Sequence, residues 1–107
     1  MKTLDSNELY QKLIEAGNDW ADKQAAFNVL DDTKHSVMAK LTLKSEASSV
    51  AAREIEAKAS GEYISHVKAT QDAFKEALRA RVKYESIKIW LDLKRTEAAN
   101  ERQLMKL

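Results

Sequence analysis

The sequence predicts an all-α protein, and its composition supplies the first reasons. The 107 residues include no proline, no cysteine and only two glycines. An average chain of this length holds about five prolines and seven glycines, and these residues mark turns. Hairpin-rich sheets, βαβ arrays and Gly-rich phosphate loops are therefore disfavoured. We expect a single domain over residues 1–107, built as a long helical hairpin of a long helix, a short helix and a second long helix.

The first long helix is predicted over about residues 7–43. Asp5 or Ser6 can cap its first turn, with Glu8 at the capping-box position. Gly17 costs about 1 kcal/mol relative to alanine inside a helix, so either a close helix crossing requires it or the position tolerates it. A seam, meaning a line of inward-facing residues, follows the alternating steps of four and three that are typical of coiled coils. The predicted seam contains Leu9, Leu13, Ala16, Trp20, Lys23, Phe27, Leu30, Lys34, Val37 and Leu41.

A short helix over about residues 50–59 is predicted next, because the serines before Val50 can cap it. Ser60 and Gly61 form the clearest turn signal in the chain. We expect Gly61 to adopt the left-handed conformation that often ends a helix. We also expect Ser60 to cap the helix that follows.

The second long helix, over about residues 62–105, carries apolar residues on more than one side. Two contacts are therefore implied, one within the chain and one to something else. In the alternative of a protein-interaction module, the smaller patch is the exposed contact surface. Since two long helices bury only a thin core, we also predict a homo-oligomer. The larger face contains Tyr63, Ile64, Val67, Phe74, Leu78, Val82, Ile89 and Leu93. The patch contains Tyr84, Ile87, Trp90 and Leu91.

The net charge of +1 conceals a strong asymmetry. Residues 1–34 hold four Lys and Arg against seven Asp and Glu, whereas residues 75–107 hold nine against five. The second long helix carries a basic stripe at seven-residue spacing, which drifts only about 20° per repeat on a straight helix. The stripe consists of Arg81, Lys88, Arg95 and Arg102, with Lys106 close to the same line.

Two interpretations of this stripe stay open. It can track the phosphates of single-stranded DNA, with Tyr84 as the adjacent stacking residue. Alternatively, the bases and the acids of the first helix are flanking charges that fix the register of a coiled coil. Those acids are Asp5, Glu8, Glu15, Asp19 and Asp22.

The sequence contains no pattern typical of catalysis or of a bound cofactor. His35 and His66 are 31 residues apart, and the chain lacks the repeated Glu-x-x-His pairs of di-metal bundles. We therefore expect no enzyme, no metal and no cofactor. No secretory signal or membrane-spanning run is present, so we expect a cytoplasmic protein that does not bind membranes.

Several segments resemble a set of small helical proteins that tailed phages encode among recombination and replication genes. They are residues 29–34 (VLDDTK), 49–54 (SVAARE), 59–63 (ASGEY), 81–84 (RVKY) and 90–97 (WLDLKRTE). The layout is also similar in design to the recombination mediator of T-even phages.

The resemblance implies a role in phage DNA metabolism inside the bacterial cytoplasm. The implied partners are single-stranded DNA, a recombination protein or a single-strand binding protein. The alternative is a protein-interaction module, such as an inhibitor of a host defence or nuclease complex, or a structural assembly adaptor.

Overall fold

The computed structural model of the protein describes residues 5–106 and confirms the all-α prediction. No β-strand occurs among these residues, and none of their helices is both long and apolar enough to cross a membrane. The helices are α1 (Ser6–Asp32), α2 (Lys34–Lys44), α3 (Val50–Ala59) and α4 (Gly61–Met105).

Side-chain caps begin α1 and α3 as the sequence predicts. The carboxylate of Asp5 accepts a hydrogen bond from the backbone N–H of Glu8 at 2.8 Å. The hydroxyl of Ser49 accepts one from the backbone N–H of Ala52 at 3.1 Å. Each bond satisfies one of the backbone donors that the first turn of a helix leaves without an intrahelical partner.

The turn between α3 and α4 differs from the predicted glycine turn. Gly61 does not have a positive φ and is the first residue of α4. Ser60 separates the helices instead, because its backbone is extended at φ −69° and ψ 147°. Its hydroxyl donates to the carbonyl of Ala57 at 2.7 Å and accepts from the N–H of Tyr63 at 3.2 Å. The expected capping by Ser60 is thus confirmed, and the left-handed glycine is wrong.

The predicted uninterrupted helix over residues 7–43 is divided at Thr33. Here the carbonyl of Leu30 accepts hydrogen bonds from two side chains, the Thr33 hydroxyl at 3.2 Å and the His66 ring Nε2 at 2.8 Å. The Thr33 hydroxyl also reaches the carbonyl of Val29 at 2.9 Å. Side chains that bond to backbone carbonyls in this way compete with the helical ladder and bend helices. Thr70 and Thr96 make the same kind of hydroxyl bond inside the unbroken α4, so the feature particular to this break is the second hydrogen bond, from His66 to the Leu30 carbonyl.

The chain divides into two compact units, each containing part of α1 and part of α4. The first unit comprises the residues up to Asp22 and those from Leu78 onward. The second unit comprises Lys23–Ala77.

Apolar burial holds the first unit together. Leu9, Ala16, Ala80 and Leu91 are each 5% exposed or less. The ring of Trp20 packs against that of Tyr84, with 5.5 Å between centroids. The seam predicted for the first long helix is confirmed, since its members are buried or half-buried in both units with the exception of Lys34.

The second unit relies more on polar contacts. Its buried apolar side chains are those of Ala57 and Ala77, and the rings of Phe27 and Phe74 pack with centroids 5.3 Å apart. Half-buried apolar residues such as Leu30, Leu41 and Val67 also belong to this unit, and hydrogen bonds add further connections between its segments. They join Ser45 Oγ to Glu56 at 2.8 Å, Arg53 Nε to the carbonyl of Ala47 at 2.7 Å, and His66 to Leu30.

Candidate nucleic-acid interface

The side of α4 that faces α1 in the first unit is the smaller of the two predicted apolar faces. Its inward residues follow steps of four, three and four: Ala80, Tyr84, Ile87 and Leu91. Ala80 and Leu91 are buried, and the other two are half-buried. This spacing matches the repeat of the α1 seam, which allows the side chains of the two helices to interlock.

The larger apolar face is not the one that packs within the chain in the first unit. Its members there are between 42% and 61% exposed. The larger face has more large apolar residues, so a count of such residues selects it as the packing face. Such a count gives little weight to alanine and glycine, although these small residues allow two helices to approach closely. Tyr84 illustrates the approach, since a β-carbon on Gly17 would lie 3.4 Å from its Cε2 atom. The exposed members are Leu78, Val82, Ile89 and Leu93.

The predicted protein-interaction patch is corrected in the same way. Leu91 is only 3% exposed, and Tyr84 and Ile87 are half-buried, so these three belong to the interior of the first unit. Trp90 alone among the four is largely exposed, at 56%. It borders a pocket that Leu9 and Ile87 also line.

The basic stripe lies along one edge of the α4 seam, and we call it the basic face. Its members are Arg81, Lys88, Arg95, Arg102 and Lys106, and all five are exposed. Arg81 directly follows the seam residue Ala80, and Lys88 directly follows the seam residue Ile87. The seven-residue spacing repeats this heptad position at Arg95 and Arg102, so the four lie on one edge of the helix.

Two arginines of the basic face lie over aromatic rings of α1. The guanidinium of Arg81 lies 5.9 Å from the ring centroid of Trp20, and that of Arg95 lies 5.4 Å from the ring centroid of Tyr10. These are cation–π distances. Arg81 also forms an ion pair with Glu85 at 3.1 Å, in which both side chains are about half exposed. The guanidinium positions are therefore partly fixed while their charges face solvent.

The acidic stripe of α1 lies beside a different cation of α4, Lys83. The stripe lies along the other edge of the seam, where Glu15 and Asp19 line a pocket together with Lys83. The contacts of Arg81 and Arg95 are with Glu85 of α4 and with the rings of Trp20 and Tyr10. The flanking-charge interpretation stays open, because Glu8 of the acidic stripe and Lys94 of α4 also have interaction partners.

The aromatic residue beside the basic face is not the one the sequence suggested. The Tyr84 ring packs against Trp20 and over Gly17, so it is engaged in the seam rather than offered for stacking. Tyr10 is 40% exposed and already stacks with Arg95. The signal that could have found it is its position beside the seam on the α1 edge that faces the basic face in an antiparallel pair.

The two histidines are separate in the structure. His66 is half-buried and donates from Nε2 to the Leu30 carbonyl at 2.8 Å, which makes it a link between helices. His35 lines a pocket with Met38 and Tyr63. Over the described residues, no cluster of three or more His, Asp or Glu side chains could hold a metal ion.

Comparisons of the chain with protein-family models, curated proteins and solved structures find no match. A proposal for the function therefore rests on the exposed cations of the first unit and the aromatic rings beside them.

Proposed function

We propose that the protein is a non-enzymatic, oligomeric accessory protein of phage DNA recombination or replication, and that it binds single-stranded DNA through the basic face. The phage context comes from the sequence resemblance. The observation that carries the DNA-binding proposal is a row of exposed cations, two of which, Arg81 and Arg95, lie over aromatic rings.

This arrangement suits an unpaired strand for two physical reasons. Cations in a row neutralise successive phosphates and release the counterions condensed on them. Aromatic rings offer stacking surfaces to bases without regard to sequence, and the partly exposed ring of Tyr10 lies beside Arg95. Arg95, Arg102 and Lys106 extend this face over about three turns of helix on the C-terminal side of the Arg81–Glu85 ion pair.

Binding of a fluorescently labelled oligothymidylate, followed by anisotropy at a low and a high salt concentration, tests the proposal. The informative variant combines Arg95→Glu and Arg102→Glu. We expect the wild type to bind more weakly at high salt, and the variant to lose about one unit of salt slope for each phosphate contact removed.

A second double variant, Lys68→Glu with Lys75→Glu, provides a matched control. It changes the net charge by the same amount on the same helix, in the second unit and away from the basic face. Circular dichroism checks that both variants keep the helical content of the wild type. Absence of salt-dependent binding by the wild type, or equal affinity of the two variants, would remove the DNA-binding proposal.

The exposure of Trp90 favours one second candidate, a protein-interaction module that contacts a recombination or nuclease partner. An exposed tryptophan at the rim of an apolar pocket is typical of protein interfaces. The same anisotropy experiment separates the candidates, since a module of this kind requires no binding to the oligothymidylate.

A further inference from the structure

A cavity in the second unit brings together charged and aromatic side chains that DNA binding by the basic face does not use. Its volume is about 340 Å³, which lies at the lower end of the range of small-ligand pockets. The residues that line it come from α2, α3 and the start of α4, and all of them belong to the second unit. They are Lys34, His35, Met38, Glu54, Lys58 and Tyr63.

Helical spacing explains why four of these side chains meet. Lys34 and Met38 are four residues apart on α2, and Glu54 and Lys58 are four residues apart on α3. Residues at this spacing share one face of a helix. Since α2 and α3 pack against each other, the two pairs line one cavity.

Hydrogen bonds orient α3 with its Glu54–Lys58 face toward the cavity. At 100° per residue, Arg53 and Glu56 lie on the other side of the buried Ala57. They bond to residues 45–47, which connect α2 to α3, at 2.7 and 2.8 Å. One edge of α3 is thus tied to the connecting segment, and the other edge lines the cavity.

The turn at Ser60 positions the aromatic wall. Its hydroxyl donates to the carbonyl of Ala57 and accepts from the backbone N–H of Tyr63. These two bonds fix the backbone between Lys58 at the end of α3 and Tyr63 at the start of α4. The cavity is therefore formed before any ligand binds, as is usual for ligand sites.

The charges of the lining favour an anion. It contains two lysines, Lys34 and Lys58, against one acid, Glu54, and both lysines are exposed. Lysine binds phosphate groups as a point charge, and a phosphate monoester carries close to two negative charges at neutral pH. His35 adds a ring N–H donor in either protonation state.

The remaining wall favours an aromatic group next to the anion. Met38 and Tyr63 are both half-buried. A tyrosine ring offers a stacking surface to any nucleobase, and the flexible thioether of methionine makes favourable contacts with rings. A ligand that combines a phosphate with a base uses both parts of the lining.

We propose that this cavity binds a nucleoside monophosphate, with the phosphate between Lys34 and Lys58 and the base against Tyr63 and Met38. The proposal goes beyond the proposed function. The basic face belongs to the first unit, so the cavity can bind its ligand whether or not the basic face binds DNA.

Isothermal titration calorimetry of the wild type with three probes gives the first test. We expect deoxyadenosine monophosphate to bind about tenfold or more tightly than deoxyadenosine or inorganic phosphate, because each of these makes only part of the contacts. Absence of binding by the monophosphate overturns the proposal. Equal binding of the monophosphate and inorganic phosphate also overturns it, because the base would then make no contact.

A double variant, Lys34→Gln with Lys58→Gln, locates the site. It should bind the monophosphate about tenfold more weakly, because it removes both charged partners of the phosphate. Lys68→Gln with Lys75→Gln is the matched control, since it removes the same charge from α4 within the second unit and outside the cavity. Circular dichroism checks the helical content of both. Equal affinities, or a larger loss in the Arg95→Glu and Arg102→Glu variant, would place the nucleotide elsewhere and overturn the proposal.

Glu54→Gln gives a test with the opposite sign. It should bind the monophosphate about threefold more tightly, because it removes a like charge from beside the phosphate. Damage to the fold would weaken binding, so a gain in affinity is specific to this arrangement. Unchanged or weaker binding by Glu54→Gln overturns the proposed position of the phosphate.

Discussion

The two units of the chain are built from the same two long helices but differ in the apolar side chains that they bury fully. The first unit buries leucine and alanine and stacks two large rings, Trp20 and Tyr84. The second unit buries only alanines fully and joins its segments by hydrogen bonds between side chains and backbone. Apolar burial is non-directional and scales with area, whereas a hydrogen bond depends on one geometry.

This difference bears on why the long helix is broken in the second unit and not in the first. A seam of apolar side chains leaves the backbone carbonyls to the helical ladder. In the second unit, His66 takes the Leu30 carbonyl as its acceptor, and the long helix is divided three residues later at Thr33. The polar contact that connects α4 to α1 in this unit therefore coincides with the loss of regular helix.

The largest expected effect is on the apolar seam of the first unit. Leu91→Ala should lower the free energy of unfolding by about 2–5 kcal/mol, because it removes a buried leucine and leaves a cavity. Urea denaturation followed by circular dichroism, at one fixed protein concentration, measures the change. Leu104→Ala is the control, since Leu104 is 68% exposed and should cost less than about 0.5 kcal/mol. Equal losses would mean that Leu91 is not a seam residue in solution.

The sequence was sufficient to predict the helices and the α1 seam because both depend on local signals. Asp5, Ser49 and Ser60 cap helices through their own side chains, and the steps of four and three follow from helical geometry. The side of α4 that faces α1 could not be derived in this way. It depends on which face fits the partner, and buried small residues such as Ala16 and Ala80 allow that fit without adding much hydrophobicity.

The candidate site was predictable in part for the same reason. The row of cations follows from the seven-residue spacing, and all five are exposed as a binding stripe requires. Which ring accompanies them was not predictable from α4 alone, because Tyr10 comes from α1 and meets Arg95 only when the two helices pair. The break at Thr33 likewise depends on His66, which is 33 residues away in the sequence.

A smaller effect is expected in the second unit, where a single hydrogen bond is tested. His66→Ala should cost about 1 kcal/mol, because it removes the donor that reaches the Leu30 carbonyl. Amide hydrogen exchange measures the local opening free energy. Protection should fall in the second unit while the amides around Leu91 keep theirs. His66→Gln retains an N–H donor, so it should lose less protection than His66→Ala. Uniform loss along the chain would show that the two units do not differ in the way described above.

The smallest expected effect is a gain in stability in the first unit. Gly17 lies inside α1, where alanine is preferred by about 1 kcal/mol. The β-carbon of Gly17→Ala would lie 3.4 Å from Cε2 and 3.6 Å from Cδ2 of Tyr84, which is van der Waals contact. We therefore expect stabilisation of up to about 1 kcal/mol in urea denaturation. Gly17→Val should lose this gain, because its additional methyl groups extend further toward the ring.

Gly61→Ala serves as the reference for Gly17→Ala, since a β-carbon there meets nothing within 4 Å. It reports the effect of replacing glycine in a helix without a new contact, although at the first position of α4 rather than in a helix interior. If Gly17→Ala destabilises the chain while Gly61→Ala does not, the approach of Tyr84 to α1 is closer than a methyl group allows. The glycine would then be required by the crossing, and the Trp20–Tyr84 pair would depend on it.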